Sequence, residues 1–239
     1  MNGLRALSFD LDYTLWDLDQ VIERAEARTR AFLAARYPEA ARCYTPARVA
    51  EARQQVLAEA PHIAHDLGEL RLRTLRRITT GCGCPAVAAE QALAVFIDAR
   101  NEVELYDDTR PVLDELYRRY VLVALTNGNA DVGRIGIGHY FRASILASEV
   151  GAAKPSALMF ETAMRHASAR PHQLLHVGDD PETDVLGAAR LGIRAVWLNR
   201  TGVPWPEYLP RVPYTEIRGL EELFGLVGAP SLPGQEVGP

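Results

Sequence analysis

Short apolar runs ending in polar residues recur along the chain, and the later ones alternate with helical patterns. The runs are Leu4–Asp10, Val121–Thr126, Ser144–Ser148, Leu174–Gly178 and Arg194–Asn199. Each is too short for a buried helix and reads as a buried strand. Helical patterns cover Thr109–Arg119, with Pro111 near the start, Ser156–Ser168, and Glu182–Leu191 closed by Gly192. Strand then helix, repeated, predicts an α/β fold with a parallel sheet and helices on both faces.

One stretch breaks the alternation. Residues 16–105 are rich in Ala, Arg, Glu and Leu. Pro38, Pro46, Pro61 and the Gly81–Pro85 cluster divide them into about four helices. This predicts an all-helical domain inserted after the first strand and laid over a core of residues 1–15 and 106–227. The Pro- and Gly-rich tail, 228–239, is expected to be mobile.

Bulk properties narrow the class. With 239 residues, 48% hydrophobic and 24% charged, the chain has a globular composition. A net charge of −5 without a basic patch argues against nucleic acid or a membrane surface as partner. No apolar stretch approaches ~18 residues, and Leu4–Phe9 runs directly into acids, unlike a signal peptide. A soluble, cytoplasmic monomer or homodimer is expected. Three cysteines, Cys43, Cys82 and Cys84, suit a reducing compartment. Cys82-x-Cys84 lacks the further ligands of a zinc site and reads as free thiols in a Gly-rich turn.

In open parallel sheets, ligands bind beyond the carboxyl ends of the strands. The first strand is followed by Asp10-Leu11-Asp12-Tyr13-Thr14, the second ends in Thr126-Asn127-Gly128, Lys154-Pro155 follows the third, and Gly178-Asp179-Asp180 the fourth, with Asp184 beyond. Of 26 basic residues Lys154 alone is lysine, which is either the remnant of a bias toward arginine or the mark of a place that needs a compact point charge instead of a planar fork. Two carboxylates at ~4 Å repel by about 4 kcal/mol at an effective dielectric near 20, and Asp179 adds to the repulsion. A divalent cation relieves it, and an all-oxygen donor set suits Mg²⁺. Thr126, Asn127 and Gly128 form a strand-to-helix turn able to cradle an anion. A D-x-D-x-T string alone arises in ~3% of chains this long. Its ordered recurrence with Thr, Lys-Pro and Gly-Asp at later strand ends is the stronger signal.

These stretches, in this order, resemble the four motifs of the haloacid dehalogenase (HAD) superfamily of phosphohydrolases, from residue 9 to about 200. The resemblance implies a Rossmann-like core with a helical C1-type cap, matching the inserted block. It implies Asp10 as nucleophile, forming an aspartyl-phosphate, and Asp12 as general acid and then base. Mg²⁺ would be held by Asp10, the Asp12 carbonyl and Asp179. Thr126, the Asn127 backbone with Gly128, and Lys154 would hold the phosphoryl oxygens, with Asp184 and Asp180 behind them. An acid at position 12 favours cleavage of a phosphate ester over displacement of halide, whose leaving group needs no proton.

The substrate implied is a small-molecule phosphate ester. Leu125–Asn129, Gly138–Phe141, Lys154-Pro155 and His176–Asp180 look like the bacterial HAD phosphatases of flavin metabolism, which act on 5-amino-6-(5-phospho-D-ribitylamino)uracil and FMN. A sugar- or nucleotide-phosphate phosphatase, a phosphoryl mutase and a catalytically silent binding module are the alternatives. Substrate choice lives in the cap, where His65 and Arg71, with His62 and Arg73, are candidates to reach the cleft. Tyr13 and Trp16 flank the first motif and are explained by packing or by a place at the pocket. Met159, Phe160 and Met164 recur at helical spacing and read as core.

Overall fold

The computed structural model describes residues 3–228. Six parallel strands form one sheet: β1 (Ala6–Phe9), β2 (Val121–Thr126), β3 (Phe141–Leu146), β4 (Leu174–Gly178), β5 (Arg194–Leu198) and β6 (Thr215–Ile217), in spatial order β3-β2-β1-β4-β5-β6. Central strands of a parallel sheet are covered on both faces, which is why β1, β2 and β4 are nearly continuous apolar runs. On one face Leu7, Phe9, Leu122 and Ala124 pack with Val112 and Leu116. On the other, Ala6, Val123 and Leu125 pack with Met159 and Phe160, and Met164 lies against that cluster. The expected core role of these three side chains holds.

The chain leaves β1 toward β2 and β3 on one side and returns to β4, β5 and β6 on the other. The crevice between the carboxyl ends of β1 and β4 is therefore the topological switch point, where such sheets bind ligands. Both Asp10 and Asp179 follow directly on those two strands.

Strands β2 and β4 have the bounds read from sequence. β3 starts earlier than expected, at Phe141, because Ala147–Val150 turns into a short helix. β6 was not anticipated: it is three residues, TEI, at the sheet edge, too short for a periodic signal. The helical pattern 182–191 divides into a π-type turn, Pro181–Leu186, and one α turn, Gly187–Ala189.

Between β1 and β2 come α1 (Leu18–Arg36), α2 (Pro38–Cys43), α3 (Pro46–Glu59), α4 (Leu67–Gly81), α5 (Val87–Arg100) and α6 (Thr109–Tyr117). The five helices α1–α5 exceed the four expected, because Pro38 opens a short extra helix at its first turn instead of merely ending α1. Asp17, Thr45 and Asp66 cap α1, α3 and α4 by accepting backbone N–H groups. These helices share an apolar cluster of their own around Leu33, Tyr44, Leu75 and Ile78. The outgoing and returning segments lie side by side, with the Tyr106 N–H donating to the Leu15 carbonyl and Trp16 bridged to Leu105.

Cys82 is not a free thiol: it forms a disulfide with Cys43, leaving Cys84 as the free cysteine. The pairing joins the end of α2 to the C-cap of α4, a proximity that a sequence separation of 39 conceals. The tail, apart from Gly228, lies outside the described residues.

Candidate active site

The first loop turns sharply after β1. Tyr13 adopts a left-handed φ of 59°, and the Leu15 N–H donates to the Leu11 carbonyl. That turn lets Asp10 and Asp12, two residues apart, serve one site. Tyr13 itself turns outward and its hydroxyl donates to Asp19 Oδ1 at 2.6 Å. Trp16 is fully buried, and its Nε1–H donates to Asp12 Oδ1 at 2.9 Å. Neither aromatic lines the cavity, so packing and positioning account for both.

Lys154 is the hub. Its Nζ donates to Asp10 Oδ1 at 2.5 Å and Asp184 Oδ1 at 2.6 Å, with its side chain 1% exposed. Burial alone would depress the ammonium, but the two carboxylates hold its pKa above the ordinary lysine value. Asn127 fixes the lysine backbone: Oδ1 accepts the Lys154 N–H at 2.6 Å and Nδ2 donates to the Lys154 carbonyl at 3.0 Å. The Asn127 side chain is thereby occupied.

Asp184 is saturated. Oδ1 meets both Lys154 and His176 Nε2, the latter at 3.0 Å, and Oδ2 accepts the Asp180 N–H at 3.1 Å. Burial pushes its pKa up, but Lys154 and His176 outweigh burial and hold it well below the usual carboxylate range. Burial keeps the His176 pKa below its ordinary value, and Nδ1 lies 2.9 Å from Ser8 Oγ. Asp180 enters only through its backbone. Its exposed side chain caps the next turn, accepting from Glu182 N and Thr183 N, so the expected supporting role for its carboxylate gives way to a capping role.

Two glycines permit this crowding. A Cβ on Gly178 would lie 2.3 Å from Asp184 Cγ, and one on Gly128 would lie 2.5 Å from Asp12 Oδ2 and 3.1 Å from Thr126 Oγ1. Thr126 Oγ1 accepts the Gly128 N–H at 2.8 Å, shaping the turn after β2.

The charges leave a deficit. Oxygens of Asp10, Asp179 and Asp184 lie within 4.8 Å of one another, and one ammonium, Lys154, faces them. Burial, then Asp184 and Asp12, push Asp10 up to about 7 against the pull of Lys154. Burial with Asp10 and Asp184 pushes Asp179 up to about 8. Both Asp184 oxygens already have partners, whereas among the described residues the Asp179 carboxylate meets only the Thr14 hydroxyl, at 3.4 Å. Asp10 and Asp179 therefore form a cation-demanding pair, and their hard oxygen donors fit Mg²⁺.

Beside Asp12 opens a cavity of about 230 Å³, walled by Leu18, Ile22, Leu70 and Phe96 and reached by Arg71 and Arg100. Of the cap candidates only Arg71 lines it, stacked 3.5 Å from the Phe96 ring centre and paired with Glu26 at 2.7 Å. His65 and His62 do not line it, and Arg73 is paired with Glu69. Arg100 was not anticipated. It is 2% exposed, and its Nη2 meets Asp12 Oδ1 and Oδ2 at 2.6 and 2.8 Å. In a chain where nearly every cation is arginine, no local signal set it apart.

A family model for haloacid dehalogenase-like hydrolases matches residues 4–192. The chain is 33% identical, over 95% of its length and 98% of the relative, to 5-amino-6-(5-phospho-D-ribitylamino)uracil phosphatase YigB of Escherichia coli. It is 32% identical, over 66% of its length and 65% of the relative, to phosphoserine phosphatase of Thermus thermophilus. A crystal structure described as a 2-haloacid dehalogenase from Pseudomonas syringae superposes with a TM-score of 0.88 at 33% identity, covering 94% of this chain and 98% of that one.

Proposed function

We propose a function from one premise: this chain belongs to the haloacid dehalogenase-like hydrolases. Within them it is a phosphatase acting on small-molecule phosphate monoesters. The observation that carries the finer reading is Asp10 held against Lys154 and beside Asp179, with Asp12 one turn away facing the cavity.

Asp10 attacks phosphorus through a carboxylate oxygen, forming the aspartyl-phosphate as the ester P–O bond breaks. Asp12 gives a proton to the departing alcohol oxygen. It then takes one from the water that attacks phosphorus and breaks the bond to Asp10, releasing inorganic phosphate. Lys154, the Thr126 hydroxyl and the Asn127 backbone N–H hold the phosphoryl oxygens, while the Gly128 N–H, which donates to Thr126 Oγ1, shapes the turn. Asp184, fixed by His176 and the Asp180 N–H, keeps the lysine in place. Asp10, Asp179 and the Asp12 carbonyl would hold Mg²⁺, which would supply positive charge so that Asp10 stays ionised beside a phosphate dianion.

Residues 16–105 act as the cap, placing Arg71 and Phe96 against the leaving group. Likeness to YigB over nearly the whole chain supports 5-amino-6-(5-phospho-D-ribitylamino)uracil as substrate, and the motif resemblance to flavin-pathway phosphatases adds FMN as the second ester. Assay of a panel of phosphate esters with Mg²⁺ tests this. Turnover concentrated on those two esters supports it, and negligible turnover of both beside brisk hydrolysis of phosphoserine or sugar phosphates overturns it.

A haloacid reading follows from the Pseudomonas syringae likeness. Asp12 argues against it, because halide departs without a proton. Release of chloride from 2-chloropropionate without hydrolysis of any phosphate ester would reverse the assignment.

A further inference from the structure

β5 brings no acid or lysine to its carboxyl end, yet one of its side chains touches the backbone that carries Asp179. Trp197 is 1% exposed, and its Nε1–H donates to the Asp179 carbonyl at 2.8 Å. From the other side of the same peptide unit, the Asp180 N–H donates to Asp184 Oδ2 at 3.1 Å. β4 pairs with β5 as far as Gly178 beside Trp197, so this peptide lies past the ladder. Trp197 and Asp184 hold it at both polar ends instead.

The Asp179 carboxylate has little else to place it. Among the described residues it meets only the Thr14 hydroxyl at 3.4 Å, a long contact for an O–H donor. Asp10, by contrast, is tied to Lys154 Nζ at 2.5 Å. A peptide unit is planar and rigid, so clamping it fixes the direction of the Cα that it adjoins. The backbone therefore sets where the Asp179 oxygens stand relative to Asp10. Trp197 is itself fixed: Trp205 and Tyr214 meet its ring edge to face, at centroid distances of 5.5 and 5.7 Å.

We propose that Trp197 is a positioning residue for the Asp10–Asp179 pair. Its N–H holds the Asp179 peptide, and through it the carboxylate, where a Mg²⁺ shared with Asp10 would need it. Mg²⁺ demands near-octahedral oxygens at about 2.0–2.1 Å, so a carboxylate free to swing loses affinity. The proposal rests on the proposed magnesium reading of Asp10 and Asp179 and adds the group that sets their geometry.

Calorimetric titration of the metal-free protein with Mg²⁺ tests this without relying on turnover. Trp197→Phe keeps an aromatic ring but removes the donor, and it should weaken Mg²⁺ binding about tenfold, as loss of a partner behind a metal ligand does. In hydrolysis of p-nitrophenyl phosphate, the Mg²⁺ concentration giving half-maximal rate should rise by the same factor, with kcat largely restored at excess Mg²⁺. Trp205→Phe is the packing control, because its Nε1–H goes to the Leu209 carbonyl at 3.4 Å and not to Asp179. It should bind Mg²⁺ as the wild type does. Circular dichroism establishes folding. Where Trp197→Phe does not fold, β-(3-benzothienyl)alanine at position 197 keeps the ring shape with sulfur in place of the N–H, and the same loss is expected. Wild-type affinity in a folded Trp197 variant, or an equal loss in Trp205→Phe, overturns the proposal. A wild type that binds no Mg²⁺ overturns the magnesium reading instead, and this proposal with it.

Discussion

Asn127 clasps the backbone of Lys154 from both sides, accepting its N–H at 2.6 Å and donating to its carbonyl at 3.0 Å. The residue after β2 thus fixes the lysine that follows β3, and through it the distance from Nζ to Asp10. Asn127→Ala removes both bonds. We expect a stability loss of about 1–3 kcal/mol from the orphaned backbone groups. Turnover should fall about a hundredfold from a misplaced ammonium. Denaturant unfolding and steady-state kinetics on p-nitrophenyl phosphate measure the two effects.

Lys154 answers two buried carboxylates at once. Lys154→Met leaves both uncompensated and is expected to cost about 3–5 kcal/mol, read from urea unfolding. Lys154→Arg restores charge, but a planar fork does not fit where one nitrogen meets both oxygens, so kcat falls about a hundredfold or more.

Proton linkage at the acids has a definite sign. Asp10 and Asp179 have folded-state pKa values, about 7 and about 8, above that of an unfolded carboxylate. The metal-free fold therefore binds protons more tightly than the unfolded chain, and this contribution is lost as pH rises through those values. Asp184 runs the other way, its contribution being lost only in acid, as pH falls below the ordinary carboxylate range. On the proposed reading Mg²⁺ would bind the ionised pair, so the rise in Tm on adding it should be larger at about pH 8.5 than at about pH 5.5. Equal Tm shifts at both pH values would rule out the Asp10–Asp179 pair as the magnesium site.

The Cys43–Cys82 disulfide closes a loop of 39 residues within the helical block. By chain entropy it stabilises that block by about 4 kcal/mol. Reduction, or Cys43→Ser, should lower the unfolding midpoint while hydrolysis of p-nitrophenyl phosphate persists at low temperature, because neither sulfur lies among the site residues. Thiol titration of the unfolded, unreduced protein should find one free cysteine, Cys84.

Much of the site was legible before any coordinates, for a physical reason. Asp10, Thr126, Lys154 and Asp179 each lie at or beyond the end of a strand, and parallel topology sends those ends to one edge. The strands themselves announce their burial on both faces through unbroken apolar runs. What escaped depends on distance in the chain or on brevity. Arg100 finds Asp12 across 88 residues and Cys43 finds Cys82 across 39, pairings that only packing of α2, α4 and α5 establishes. β6 is three residues long, and its TEI carries no alternation. Asp180 looked like one more acid in an acidic site, yet its side chain faces out as a helix cap, the commonest local use of aspartate. His65 sits in the turn between Ile63 and α4 and does not line the cavity, and no local pattern tells which way such a turn faces.

The most direct measurement is peptide mapping after rapid acid quench of the wild type during turnover with Mg²⁺ and p-nitrophenyl phosphate. The account predicts a mass gain of one phosphoryl group on the peptide containing Asp10, with neither adduct nor turnover in Asp10→Asn. A phosphoryl group on another residue, or full turnover by Asp10→Asn, would contradict it.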